Sequence, residues 1–529
     1  MRDPVDSDRS RLASSRPQGR TSAGRIARAG LLCLAILSST SLHAQVNLDF
    51  ETLPLDEASS SLPSGWDAQD QDAAFELDAV TRRGGTYSLR VTPMADRVRV
   101  RFSQALDLRS IPGERVRVSA YVKAGSADAT GTAGLRVRVE DDTGLIYIDR
   151  TQEPVAAGGS GWHRLEIEAP LAPTATELSF GGELYDGSWA WFDDFTFELV
   201  DTATLPAPSS VVSRYIRYAL SVIEDNAFVR AELDWPTYRA AVMRQAGGAV
   251  TVEDSYLALR YALGALGDGH SHFRTAERMT TLADGPVENA RTGRPPVAPR
   301  GELLGGSIGY LRLPGFAGGS HMDRVEFAEG LQALIAELDA STVCGWIVDL
   351  RNNLGGNLWP MLSGLGPLLG DGEVGAAVKP DGERERFWYD SGRVGLGDYV
   401  QLRVRGEPYR LRRANAPVAV LTDDDTASAA EILAAAFAAR PRTRSFGEAT
   451  RGATTGTRTF QLSDGAALIL AVASTSDRNG RIYPGPIPPD EIVSAAERGL
   501  ALAAQPTVRA ARAWLGSGHG APPAASCPR

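Results

Sequence analysis

The chain is poor in lysine. Only Lys123 and Lys379 occur, so arginine carries nearly all the positive charge and a reaction needing a lysine base has two positions to draw on. Cysteine is also scarce: Cys33, Cys344 and Cys527 are the only three in 529 residues. Cys33 sits in an N-terminal apolar run, Cys344 in an expected buried strand and Cys527 in the tail, so no structural disulfide is expected. Long apolar runs are missing too. The longest, "AGLLCLAILSS", is too short to span a bilayer, which excludes a permanent membrane span. Excess positive charge is absent as well, since the formal net charge is −10. That balance excludes nucleic acid as the main partner.

What is present divides the chain into five segments. In residues 1–44, Arg25 and Arg28 precede the apolar run and small residues lead to "SLHA", the pattern of an export signal with its cut near Ala44. Residues 45–201 hold "RVRVRF", "RVRVSAYV", "LRVRVE" and "RLEIEA", which alternate apolar with polar as half-buried antiparallel strands do. Strand after strand without a helical period implies an all-β sandwich. Its stretches "SGW", "GGTYSLRV" and "WFDDFTFE" resemble jelly-roll carbohydrate-binding and galactose-binding-like modules. The resemblance implies a glycan or cell-surface ligand, although aromatics such as Trp189, Trp191, Phe195 and Phe197 are first of all core formers.

After the linker "DTATLPAPSS", residues 205–300 read as helical, with Val211, Tyr215, Ala219 and Val222 on one face of the first helix. From 301 to 505 strand and helix patterns alternate, which implies an α/β layer fold. Residues 506–529 read as an unstructured tail.

Two stretches carry chemistry. In "APVAVLTDDDTASAAEILAAAF" a strand breaks into an Ala- and Leu-rich helix, with Ser428 at the corner. A serine there is either a helix cap or a nucleophile placed beside unpaired N–H groups and a positive dipole end. In "GWIVDLRNNLGGN" a buried strand ends in Gly355 and Gly356, a turn that lets backbone approach a substrate and aim N–H groups at a developing oxyanion.

"DLRNNLGG", then "TASAAEI", then "GEATRGATTG" together resemble the tail-specific, or C-terminal-processing, serine proteases, a superfamily that includes the tricorn core protease and the interphotoreceptor retinoid-binding protein. The resemblance covers roughly residues 205 to 500 and implies a crotonase-like α/β catalytic domain. It implies Ser428 as nucleophile, Gly356 and Ala429 as oxyanion donors, and Glu431 as a supporting acid one helical turn on. In the bacterial processing branch a lysine is the base, but Ala453 stands at that position. The tricorn-like branch uses a histidine from the preceding helical region. Of six histidines, His270 in "LGDGHSHF" resembles that turn, while His272 reads as a bystander and His321 as a solvated helix start. Tricorn-like relatives also carry a glutamate shortly before "PPD", where this chain has Pro484. Asp268, Glu431 and Glu491 are the acids that could replace it. The roughly 35 residues between His272 and "IGYLRL" leave no room for a PDZ domain.

The expectation is therefore an exported serine endopeptidase, periplasmic or secreted, acting on a polypeptide through a Ser428–His270 acyl-enzyme mechanism with no metal or cofactor. Two other expectations stay open: a weakly active or inactive ligand-binding member of the same fold, and a polysaccharide-associated esterase.

Overall fold

A computed structural model describes residues 47–517, apart from 53–61, 70–72, 95–98, 112, 126–130, 143, 152–153, 157–160, 186–188, 284–297, 317–318, 342 and 494–499. The leader, with Cys33, His43 and Ala44, and the end of the tail, with His519 and Cys527, lie outside these residues.

The first part is a mostly β region of two facing antiparallel sheets. One orders the strands Asp67–Ala68, Arg99–Asp107, Glu177–Tyr185, Thr132–Asp141 and Gly144–Arg150. The other orders Ala73–Asp78, Ser88–Pro93, Trp189–Leu199, Arg115–Gly125 and His163–Pro170. Alternation sends Phe102, Phe180 and Phe192 inward around Trp66, whose ring lies 4.8 Å from that of Phe195. The "WFDDFTF" run does not keep one period. A bulge between Asp193 and Thr196, with Asp194 at φ 49°, resets the register so that Phe192 and Phe195 both face the core. Trp191 stays at the surface and donates to Asp78 at 2.8 Å. Its indole is engaged by the protein itself.

A helical segment follows. α1 (Ser210–Asn226) is capped by Ser209, whose Oγ accepts from the Val212 N–H at 3.2 Å, and buries Val212, Ile216, Leu220 and Ile223. α2 (Trp235–Gln245) and α3 (Tyr256–Gly264) complete its core. These helices also carry the sandwich. Buried Arg115 donates to Gln245 Oε1 at 3.2 Å, and Arg260 on α3 donates to Asp149 at 2.8 Å on the sandwich edge strand. α4 (Ala276–Ala283) leads to the α/β part.

There, α5 (His321–Asp339), α6 (Leu358–Leu369) and α7 (Ala429–Ala438) flank a six-stranded sheet ordered Arg300–Leu304, Ile308–Arg312, Gly345–Asp349, Val418–Thr422, Thr443–Gly447 and Glu491–Ile492. All its pairs are parallel except the first. The central strands are buried throughout, as their unbroken apolar runs require. A second sheet is built on the long strand Ala467–Asp477, with His272–Arg274 on one side of it and Thr455–Gln461 also paired to it.

Two expectations are corrected. Residues 506–529 are not wholly unstructured, because α8 (Pro506–Gly516) buries Val508, Ala511 and Leu515 beside Phe446 and Leu421. Pro at its first position and a 3–4 apolar spacing make that helix. Cys344 is disulfide-bonded, against the expectation of no structural disulfide. Among the described residues no helix is long and apolar enough to cross a membrane.

Candidate active site

The carboxyl ends of the parallel strands meet the second sheet at a cleft of about 3110 Å³, lined by both sheets, the helical segment and the sandwich edge. Such strand ends are where open α/β sheets expose loop backbone to ligands. Two loops form the centre. After Gly345–Asp349 the chain turns through Asn352, whose backbone and side-chain N–H groups donate to Asp423 at 2.9–3.0 Å. Asn353, wholly buried, accepts from the Gly355 N–H at 2.9 Å, and its own carbonyl takes the Ala427 N–H at 2.9 Å. Thr426, also buried, donates to the Leu350 carbonyl at 3.0 Å. The polar residues of "DLRNN" and "DDDTAS" thus lace the two loops together.

That lacing presses Gly355 against the Ser428 corner. A Cβ on Gly355 would lie 2.6 Å from the Ala427 carbonyl oxygen and 2.8 Å from both Ala429 N and Ser428 Cβ, and its φ is +86°. Only glycine fits there. Ser428 itself sits at φ 56°, ψ −120°, a strained conformation for a residue with a side chain. Glu431, wholly buried one turn along α7, holds it in place. One of its oxygens accepts the Ser428 N–H at 2.7 Å; the other accepts from Thr450 at 2.6 Å and from the Gly452 N–H at 2.7 Å. Burial raises the Glu431 pKa, and these three donors oppose the shift.

The Ser428 hydroxyl meets His270. Ser428 Oγ and His270 Nε2 are 3.0 Å apart, although 158 residues separate them in sequence. The other ring nitrogen, Nδ1, lies 2.8 Å from Thr455 Oγ1. A hydroxyl can accept from an imidazole N–H, so this contact accommodates the tautomer protonated on Nδ1, which leaves the Nε2 lone pair facing Ser428. Burial lowers the His270 pKa below its usual value, and the Asp268 charge opposes the shift. The imidazole is therefore neutral at pH 7. Asp268 accepts the His270 N–H at 3.0 Å and the Ser271 N–H at 2.7 Å, and the hydroxyl of Ser271 donates to it at 2.6 Å. It shapes the turn that carries the ring.

Of the residues singled out in the sequence, the fold brings Ser428, His270, Gly356, Ala429 and Glu431 to one place. Gly356 and Ala429 both line the cleft, and among the described residues neither N–H has a protein acceptor. Ala429 heads α7, where the dipole favours negative charge. None of the three candidate acids touches the imidazole ring through its carboxylate: Asp268 holds backbone, Glu431 holds the serine corner, and Glu491 pairs with Arg444 at 3.2 Å. His272 Nδ1 turns to the His270 carbonyl at 2.9 Å, and His321 is exposed at the start of α5. Sequence reasoning passed over Thr455. It lies inside the quoted "GEATRGATTG", but nothing in that stretch marks which threonine will face an imidazole 185 residues away.

Residues 307–493 match peptidase family S41. The chain is similar to a nisin-resistance protein of Lactococcus lactis subsp. lactis, 27% identical over 303 residues that cover 57% of this chain and 87% of that protein. It is also similar to a carboxyl-terminal-processing protease of Synechocystis sp., 32% identical over 190 residues, 36% of this chain and 38% of that one. Among solved structures, a lipoprotein from Streptococcus agalactiae is similar at 24% identity and a TM-score of 0.48, over 60% of this chain and 98% of that one. His270 lies before the matched residues, so the ring facing Ser428 comes from the helical segment. The family match over residues 307–493 and the carboxyl-terminal-processing relatives mark the chain as a serine-type peptidase.

Proposed function

We propose that the chain is an exported endopeptidase, periplasmic or secreted, whose crotonase-like α/β domain cleaves polypeptides through a Ser428–His270 pair. The observation that carries this reading is the 3.0 Å contact between Ser428 Oγ and a neutral His270 Nε2, at an open cleft on a strained serine corner. His270 takes the hydroxyl proton as Oγ attacks the peptide carbonyl carbon. The N–H groups of Gly356 and Ala429 receive the oxyanion. As the tetrahedral intermediate collapses, the leaving amine takes the proton from Nε2 and an acyl-enzyme remains. Water, deprotonated by the same nitrogen, then releases the acid and restores Ser428. Thr455 holds the ring where other histidine-dependent sites use a carboxylate, and Glu431 supports the serine from below. Export is supported by the leader sequence.

The sandwich is proposed to hold a glycan or other cell-surface ligand, on the support of its two-sheet architecture. Retention of the full chain on immobilised polysaccharides tests this, and failure to bind any of a broad panel overturns it. The test of the peptidase reading is labelling by a fluorophosphonate together with hydrolysis of unstructured peptides. Both are expected for the native chain, and Ser428→Ala should lose several orders of magnitude in rate while keeping its melting temperature. Hydrolysis that survives the serine change overturns the assignment.

A further inference from the structure

The outward face of the sandwich's second sheet carries a row of aromatic and charged residues. Leu89, Val122 and Phe192 point into the core, so their neighbours Arg90, Lys123 and Trp191 point out. Strand register sets these three side by side, with Trp191 opposite Arg90 on one neighbouring strand and opposite Lys123 on the other. Both cations lie 5.6 Å from the indole ring. Two residues from Lys123, on the same strand and face, Tyr121 lies beneath Arg83, with 4.3 Å between ring and guanidinium. Trp189 shares this face. A Cβ on Gly125 would come within 2.3 Å of the Trp189 Nε1, so that indole lies close over the side-chain-free Gly125.

Elsewhere on the sandwich, arginines meet carboxylates. Arg115 pairs with Glu168 at 3.0 Å, Arg150 with Glu183 at 2.9 Å and Arg164 with Glu166 at 2.8 Å. Lys379, the chain's other lysine, meets Glu383 and Glu385 at 2.9 and 3.1 Å. Arg83, Arg90 and Lys123 instead lie over rings, and among the described residues none of the three has an ion pair. The nearby acids are spent or apart. Asp78 accepts from Trp191 Nε1 at 2.8 Å and from the Val80 and Thr81 N–H groups at 2.7 and 2.9 Å. Asp193 is buried and takes the Arg83 and Gly84 N–H groups at 2.8 and 3.2 Å, and Glu76 stands opposite Arg90 on the edge strand without pairing with it. A carboxylate holds a cation and cancels its charge, whereas a ring holds it and leaves the charge in place. Three uncancelled cations on one face make a fixed positive surface. Arg90 and Lys123 stand two strand spacings apart, about 10 Å, so charges spaced along a polymer reach both and one small anion does not.

We propose that this face of the sandwich binds an acidic polysaccharide, with Arg83, Arg90 and Lys123 meeting its carboxylate or sulfate groups and Trp189 packing against a sugar ring. The proposal rests on the reading of the sandwich as a glycan-holding module and names the class of glycan. An indole offers a broad apolar surface with one polar edge, which suits a ring that is itself part apolar. The net charge of −10 on the chain runs against nucleic acid as the polyanion.

The test uses the full chain and polymers matched in backbone but not in charge: polygalacturonate against its methyl ester, and dextran sulfate against dextran. Phosphatidylglycerol vesicles form a further arm. Surface plasmon resonance at low salt should show about tenfold tighter binding of a charged polymer than of its neutral partner, with the ratio falling toward one as salt rises. Whichever pair shows the preference names the anionic group. Lys123→Gln and Arg90→Gln should each lower the affinity for the charged polymer about fivefold, the double change should erase the preference, and Lys123→Arg should keep it. Arg109→Gln removes an equal charge where Asp142 already pairs it, and should leave the affinity unchanged. Lys123→Gln gives the reading should Arg90→Gln fail to fold. Equal binding of charged and neutral partners, a preference that survives the double change, or tighter binding to the vesicles than to any polysaccharide overturns the acidic site. Equal binding within each pair leaves the glycan reading standing, whereas retention on no polysaccharide removes that reading as well.

Discussion

Asp268→Asn separates charge from shape at the His270 turn. The asparagine oxygen can still accept the two N–H bonds from His270 and Ser271, measured at 3.0 and 2.7 Å, so the turn keeps its form. The negative charge is removed. In the native chain that charge opposes the burial that depresses the His270 pKa. Only neutral His270 can take the serine proton, so kcat/KM rises with pH through the histidine pKa and then levels off. The native limb is expected below the ordinary imidazole value of about 6.5, and the variant limb lower still. During attack His270 becomes cationic, and the same missing charge then costs transition-state stabilisation. A partly solvated charge interaction of this kind is on the order of 1 kcal/mol, or about fivefold in the plateau rate. The assay is kcat/KM against pH on one small peptide for both chains. A limb that moves upward refutes the electrostatic argument. A plateau that falls with an unmoved limb would make Asp268 a turn-former only.

Three further outcomes are expected. Gly355→Ala places a Cβ among backbone atoms at 2.6–2.8 Å with φ at +86°, so it should destabilise the chain by about 3 kcal/mol and abolish fluorophosphonate labelling; an unchanged melting curve contradicts this. Thr455→Val removes the hydroxyl at 2.8 Å from Nδ1, so kcat should fall about tenfold with KM little changed, and a change confined to KM would assign Thr455 to substrate contact. Asp149→Asn leaves Arg260 without its acid at the sandwich junction, so thermal unfolding should show a loss of about 1–3 kcal/mol, whereas unchanged stability would mean that this junction adds nothing to the fold.

Much of the fold was legible because local rules and tertiary demands agree. Period-two alternation in "RVRVSAYV" and "LRVRVE" marks half-buried strands, and unbroken apolar runs such as "VAVL" mark strands buried on both faces. The Ser428 corner was legible for a similar reason: a strand-to-helix corner and a Gly-Gly turn are local motifs with fixed backbone needs. The near-absence of lysine, by composition, and Ala453, by resemblance to the family's motif, excluded a lysine base. α8 was misread because a short helix of moderate propensity owes its stability to the Phe446 side of the sheet, which local sequence does not display. The bulge at Asp193 and Asp194 was hidden because one extra residue shifts a period without changing composition.

Sequence by itself determined which residue types were available for chemistry and which local corners could present them. Only the tertiary structure decided who meets whom. The partner of His270 Nδ1 is a threonine, and the three candidate acids are spent on backbone and on Arg444. The contacts of His270 with Ser428 and Thr455 span 158 and 185 residues of chain, set by sheet register and loop lacing, and no local pattern encodes them.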